Sequence, residues 1–306
     1  MSEFYPEGEL INTEENRRAT ADEQALRDSM LSGRILEAPC IVCDSKHDLI
    51  VDFGFIKGII PRTEGAIGIG DGSTRDIALI SRVNKAVCFK ITAVTTNEYG
   101  EKIALLSRRS AQQECMDAYI SKLTPGDIIN AKVTHLEQFG SFVDIGCGIP
   151  SLIPIDAISV SRINHPSNRM SVGQKIKAAV KGIENGKVSL SHKELLGTWA
   201  ENAASFTVGE TVTGYIRSIE SYGVFVELTP NLAGLAELKE GIHINQHASV
   251  FIKAIIPEKM KIKLIIVDSF DSGYSSDSFK YFIESGHIDS WVYSTPESDK
   301  IIKTVF

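Results

Sequence analysis

Two pairs of aromatic side chains, Phe139 with Phe142 and Tyr222 with Phe225, stand three residues apart with a glycine inside each interval. Flat rings at a fixed spacing can stack on unpaired bases, and such stacking is worth ~1–3 kcal/mol per base by alanine substitution. Binding a single strand also takes cations along its backbone. Lys132, Lys187, His192 and Lys193 surround the first pair in sequence, and Lys261 follows the second. These nine residues form the candidate set for contacting single-stranded RNA.

The spacing raises a geometrical question. Residues i and i+3 on a regular strand face opposite ways, so parity would send Phe139 into a core with Val143 and Ile145. Gly140 and Gly223 permit a bulge or tight bend that brings both rings to one face. Spacing alone leaves both arrangements open.

Other chemistry-bearing patterns are thinner. Cys40-x-x-Cys43 has no second Cys or His pair at zinc spacing, and on a strand its thiols would point apart. Asp52-Phe53-Gly54 copies a kinase tripeptide without a phosphate-loop or catalytic-loop partner. Gly68-x-Gly70-x-Gly72 reads as a connecting loop, because no helix signal follows it. Neither a nucleophile–base set nor a carboxylate cluster stands out. No catalytic residue, cofactor, metal or small-molecule substrate is therefore expected.

The elements that must position the rings are strands. From Gly126 to Lys193, Ile129, Ala131 and Val133, then Val143 and Ile145, alternate with polar residues as half-buried strands do. Asn185-Gly186 is a two-residue hairpin signal. The segment holds roughly five strands in about 70 residues, the size of a small barrel. The same grammar returns 83 positions on: Gly126 with Gly209, Gly140 with Gly223, Phe142 with Phe225, and Leu152 with Leu235. A constant offset held through four landmarks is an internal repeat. Residues 33–109 form a more degenerate copy, in which Val51-Asp52-Phe53-Gly54 aligns with Val143-Asp144-Ile145-Gly146. There His47 and Ile50 replace the aromatic pair, so this copy is expected to dock or brace.

This pattern, G-x6-V/I-x2-I/L-x2-F/Y-G-x-F-V with a later V-x-L-S-x-K, resembles the S-one RNA-binding domain, a five-stranded oligonucleotide-binding (OB) barrel. The match runs nearly end to end in the middle repeat and is looser in the second half of the last. The whole chain resembles the short multi-repeat S-one homologues of low-GC Gram-positive bacteria. The resemblance implies a mainly β fold, a tandem array of three OB barrels joined by short amphipathic helices. It also implies that both aromatics face RNA, and that a basic residue stands three before the last Leu of the barrel, here Lys187 and Lys261. The His that the family carries twelve residues past the second aromatic is replaced by Pro154 and Glu237.

The expected divisions are an acidic arm and capping helix (1–32), barrel 1 with its linker helix (33–123), barrel 2 with its linker helix (124–207), barrel 3 (208–268) and a C-terminal extension (269–306). Residues 1–18 read as disordered, being acidic and poor in apolar side chains. Thr20-Ala-Asp-Glu23 reads as a capping box for a helix over Ala21–Leu31. Residues 110–123 and 194–206 carry one apolar face each, and Trp199 is expected to plug a barrel end. Arg162, His165 and Arg169 lie in a long connection over 155–171. The extension opens on a linker-like stretch, and its aromatic remainder should pack.

Net charge is −7, but the distribution matters more: residues 124–193 hold eight basic and five acidic side chains, whereas 208–268 hold six and seven. No apolar run approaches the ~18 residues needed to span a membrane. Five scattered cysteines without a secretion signal imply a reducing cytoplasm. The favoured reading is non-catalytic binding of single-stranded RNA, including mRNA, in translation, with the small ribosomal subunit as partner. The alternative is a protein–protein adaptor in ribosome or RNA-decay machinery. A nuclease or polynucleotide phosphorylase would need a catalytic domain for which no residues remain.

Overall fold

A computed structural model describes residues 4–271 and 279–306. The chain forms two compact units: the first runs to Leu123 and takes in Asp144–Pro150, and the second holds Thr124–Val143 and Ser151–Phe306.

In the first unit, helices α1 (Glu14–Ala19) and α2 (Glu23–Ser32) precede a closed barrel. Its strands are β1 (Leu36–Cys43), β2 (Leu49–Asp52), β3 (Lys57–Ile60), β4 (Ala86–Thr96) and β5 (Lys102–Ser107), in the order β1-β2-β3-β5-β4. The short helix α3 (Ile77–Ile80) lies in the β3–β4 connection, after the Gly-rich loop. Helix α2 starts from Asp22, whose carboxylate accepts from the Ala25 amide, so the cap is Asp22 and not the expected Thr20 box. Leu26 is sealed in the barrel 1 core and Met30 packs against it, which is how this helix covers the barrel.

The acidic arm departs from the disorder read for 1–18. Among its described residues, the Gly8, Leu10 and Ile11 amides donate to the Glu37 carboxylate at 2.9–3.0 Å. Glu7 accepts from Arg108 Nε at 2.6 Å, from Arg82 at 3.1 Å and from the Cys88 amide at 3.0 Å. Burial pushes the Glu7 carboxyl up, but the adjacent guanidiniums outweigh it and hold the group well below the usual range. Composition misses this because an arm with few apolar residues is held here by ion pairs to side chains some hundred residues away. Helix α4 (Arg108–Ala118) buries Ala111 and Cys115 as its apolar face requires, but ends before Tyr119 and Leu123.

Barrel 2 comprises β6 (Ile128–Glu137), β7 (Gly140–Asp144), β8 (Pro150–Pro154), β9 (Lys175–Glu184) and β10 (Lys187–Ser191), closed as β10-β8-β7-β6-β9. Asn185 and Gly186 both take positive φ, 51° and 73°, as a type I′ hairpin demands. Ile129, Ala131, Val133, Val143 and Ile145 are all buried, as their alternation requires. The stretch over 194–206 is not one helix. A 3-10 turn over Lys193–Leu196 breaks at Gly197, where φ is +85°, and α5 (Trp199–Ala203) restarts from a capping box of Thr198 and Glu201.

Barrel 3 repeats the plan with β11 (Thr211–Glu220), β12 (Gly223–Thr229), β13 (Leu232–Ala236), β14 (His247–Ile256) and β15 (Lys261–Phe270), ordered β11-β12-β13-β15-β14. Trp199 and Ala203 of α5 join its core. The linker-like 272–278 lie outside the described residues. The aromatic segment beyond them packs, as its composition implies. Trp291 and Tyr293 enter the barrel 3 core, and β16 (Ser290–Val292) pairs with β17 (Lys303–Val305). His287 pairs with Asp127 at 2.8 Å beside a β-bridge between the same residues. No helix among the described residues is long and apolar enough to cross a membrane.

Candidate nucleic-acid interface

The parity problem dissolves because Phe139 and Tyr222 are not on strands. Gln138-Phe139 and Ser221-Tyr222 are two-residue turns, joining β6 to β7 and β11 to β12. Phe142 and Phe225 are on strands, at the outward positions of β7 and β12. A turn residue escapes the two-residue alternation, so both rings of each pair reach one face. Phe139 is 56% exposed and Tyr222 67%. Phe142 and Phe225 are half-buried. Ring centroids are 5.9 Å apart at 89° in the first pair and 6.1 Å at 90° in the second. This edge-to-face contact leaves a flat face of each exposed ring open to a base.

The intervening glycine has a steric reason. A Cβ at Gly140 would lie 2.4 Å from the Ile153 carbonyl oxygen, and one at Gly223 would lie 2.6 Å from that of Ala236. Only glycine lets the turn come this close to the next strand. Barrel 1 shows the contrast: the aligned Ile50 is outward and half-buried, an aliphatic patch where the other barrels carry a ring.

Around the barrel 2 pair, the Thr134 hydroxyl donates to the Phe142 carbonyl at 3.1 Å, fixing β6 beside the ring. Lys132 is two residues earlier on the same outer face of β6. It stands opposite Lys175 of β9, so two ammonium groups share one stretch of the wall. Leu152 of β8 lies next to Ser189 of β10, and Lys187 opens β10 on the exposed side. Lys193 is half-buried beyond the strand, its ammonium donating to the Asp156 carbonyl at 3.2 Å.

His192 requires a correction. It is completely buried, with Nδ1 3.0 Å from the Ile158 carbonyl and Nε2 3.1 Å from the Tyr281 hydroxyl. The Phe279 ring stands 4.4 Å away edge-on. Burial lowers its pKa to about 4, so it is neutral at pH 7 and cannot meet a phosphate. The sequence concealed this because its cover is supplied by an aromatic segment nearly ninety residues later.

In barrel 3 the register runs Phe225 to Leu235 to Lys263 across β12, β13 and β15. Lys263 is therefore the cation in line with the ring, a residue the sequence reading missed. Parity on β15 from Lys261, also exposed, was the available signal. Glu237, where the family carries its His, is exposed as well.

Barrels 2 and 3 are locked together within one unit. Arg169, completely buried, donates to Glu227, which also accepts from Arg217 at 2.7 and 3.2 Å. The Arg217 guanidinium lies 4.0 Å over the Tyr215 ring. Asn231 donates to the Lys193 and Gly197 carbonyls at 2.7 and 2.8 Å and accepts from the Val160 amide at 3.0 Å. Arg169 of the long connection is thus structural, whereas Arg162 is exposed.

Three closed five-stranded barrels, two of them carrying an outward ring pair, define a tandem OB-fold protein. Residues 122–193 match the family described as S1 RNA binding domain, which places that domain in the middle barrel. It is 31% identical over 172 residues to the small ribosomal subunit protein bS1 of Staphylococcus aureus (strain COL), covering 54% of this chain and 43% of that one. The corresponding protein of Rhizobium meliloti (strain 1021) is 25% identical over 285 residues, 88% of this chain and 49% of the relative. The chain thus spans less than half the length of these relatives. Among solved structures, GSP13 from Bacillus subtilis is 28% identical over 23% of this chain and 55% of its own, with a TM-score of 0.22. A multidomain protein with nucleic acid binding domains from Streptococcus pneumoniae is 11% identical over 78% of this chain and 75% of its own, with a TM-score of 0.26.

Proposed function

We propose that this chain binds single-stranded RNA without catalysis, with barrel 2 as the principal reader, and that it does so on mRNA at the small ribosomal subunit. The observation that carries the reading is the outward Phe139–Phe142 pair on the one barrel with a clear excess of basic side chains. A base laid on the exposed ring keeps its edges in water, so the preference among bases is weak. Lys132, Lys187 and Lys193 give the backbone its counter-charges, and Tyr222, Phe225 and Lys261, with Lys263, offer a second platform. The family match over 122–193 and the likeness to bS1 proteins support both the ligand and the ribosomal setting.

Titration of a fluorescent single-stranded RNA at two salt concentrations tests the ligand, and co-sedimentation with small ribosomal subunits tests the setting. Affinity that falls with salt and with Phe142→Ala supports the proposal. Absence of binding at low salt favours the adaptor reading, to which Glu237 and the ring-free barrel 1 lend support.

A further inference from the structure

We propose that the groove between barrels 2 and 3 is a composite site for one nucleotide, with the rings supplied by barrel 3 and the cation by the β8–β9 connection of barrel 2. This deepens the proposed function and rests on it. A cavity of about 560 Å³ lies there, lined by Arg162, Asn164, Arg217, Tyr222, Phe225 and Met260 among others. That volume is within the range of ordinary small-ligand sites, roughly 300–1,000 Å³. Its wall combines the three things a nucleotide needs: flat ring faces, a guanidinium for the phosphate, and an amide for base edges.

The connection is not a loose loop that happens to pass nearby. The Ser161 amide donates to the Pro230 carbonyl at 3.1 Å, and the Val160 amide to Asn231, itself fully buried and tied to Lys193 and Gly197. Arg162 is the next residue after these anchors, so its backbone is held at the mouth of the groove while its side chain stays exposed. Behind it, two guanidiniums, Arg169 and Arg217, meet one carboxylate, Glu227. Glu220 at the rim is the opposing acid.

Charge explains why the neighbour is needed. Barrel 3 holds six basic and seven acidic residues, and Glu237 adds a negative charge where the family has a donor. Its ring pair alone is a weak platform for a polyanion, and Arg162 offsets the one excess negative charge.

The test uses the full chain and a fluorescein-labelled uridine decamer, read by anisotropy at two salt concentrations, with thermal melts to confirm folding. Arg162→Ala and Tyr222→Ala are each expected to weaken binding ~5- to 20-fold. Arg162→Ala should also reduce the salt slope by ~0.7, one phosphate contact on a single strand, and Arg162→Lys should restore it. Because both residues would hold the same nucleotide, the double variant should lose less than the product of the single losses. An Arg162→Ala protein with wild-type affinity and slope overturns the composite site, and it leaves the proposed function standing if Phe142→Ala still weakens binding. A wild-type chain that does not bind the decamer at low salt overturns both.

Discussion

Replacing Phe142 by alanine separates recognition from folding. The ring is outward and half-buried, and its nearest aromatic neighbour is Phe139 rather than the barrel core. The folded state loses the edge-to-face contact, ~0.5–1.5 kcal/mol, and part of the area that a half-exposed ring covers. The bound state loses a stacking partner worth ~1–3 kcal/mol, together with the support that holds Phe139 upright. A loss of ~2–3 kcal/mol corresponds to roughly 30- to 150-fold in affinity. The ring carries no charge, so the dependence of log K on log salt should keep its slope while the whole line drops. Lys187→Ala should do the reverse, taking ~0.7 off the slope with a smaller drop at high salt. Phe142→Leu keeps most of the apolar cover and removes the π face, so it isolates stacking. The assay is fluorescence anisotropy with a short single-stranded RNA, alongside urea unfolding of each variant. Wild-type affinity in Phe142→Leu would refute the stacking argument, as would an affinity loss matched by an equal loss of folding stability.

The remaining predictions concern how the second unit is held. Glu227→Ala removes the carboxylate that Arg169 and Arg217 share, and breaking such a buried pair should cost ~3–5 kcal/mol in urea unfolding. Trp291→Ala removes a large ring from the barrel 3 core and should cost ~3–5 kcal/mol, detected as a lowered melting temperature and faster proteolysis of the C-terminal segment. His192 should make stability pH-dependent: its folded pKa, about 4, lies below the ordinary 6.5, so the unfolded chain binds more protons between those values. The stability it contributes, at most ~3 kcal/mol, is full above pH 6.5 and is lost as pH falls through 4. His192→Gln should flatten the urea midpoint over that range, and an unchanged profile would refute the burial argument.

Much of the fold was legible because strand alternation and turn chemistry are local. Ile129, Ala131, Val133, Val143 and Ile145 read as core from period alone, and Asn185-Gly186 read as a hairpin. The ring pairs were legible as residues but not as geometry, because only the turn at Gln138-Phe139 shows that the i, i+3 parity does not apply. What stayed hidden depended on distant partners. Glu7 needs Arg108 to order the arm, and His192 needs Phe279 and Tyr281 to become a core residue. Lys263 was missed for another reason: parity from Lys261 marks it as outward, but which outward cation lines up with Phe225 is set by the parallel pairing of β13 with β15.

The three barrels also show why one scaffold can hold different surfaces. On a barrel strand the inward positions fill the core and the outward positions face solvent, so the two sets can change independently. Val51, Val143 and Val226 are inward and fully buried, and all three remain valine. At the outward position Ile50 stands where the other barrels have Phe142 and Phe225, and the barrel closes in each case. The glycine before the ring behaves otherwise. Gly140 and Gly223 are fixed by the close carbonyls of Ile153 and Ala236, so a Cβ there would strain the turn that carries Phe139 or Tyr222. The ring and its turn are therefore one unit of change. Barrel 1, where His47 and Ile50 replace the pair, has lost both members rather than one. Placing a single phenylalanine at Ile50 should leave the RNA affinity of the full chain unchanged in the anisotropy titration, because His47 supplies no second ring beside it.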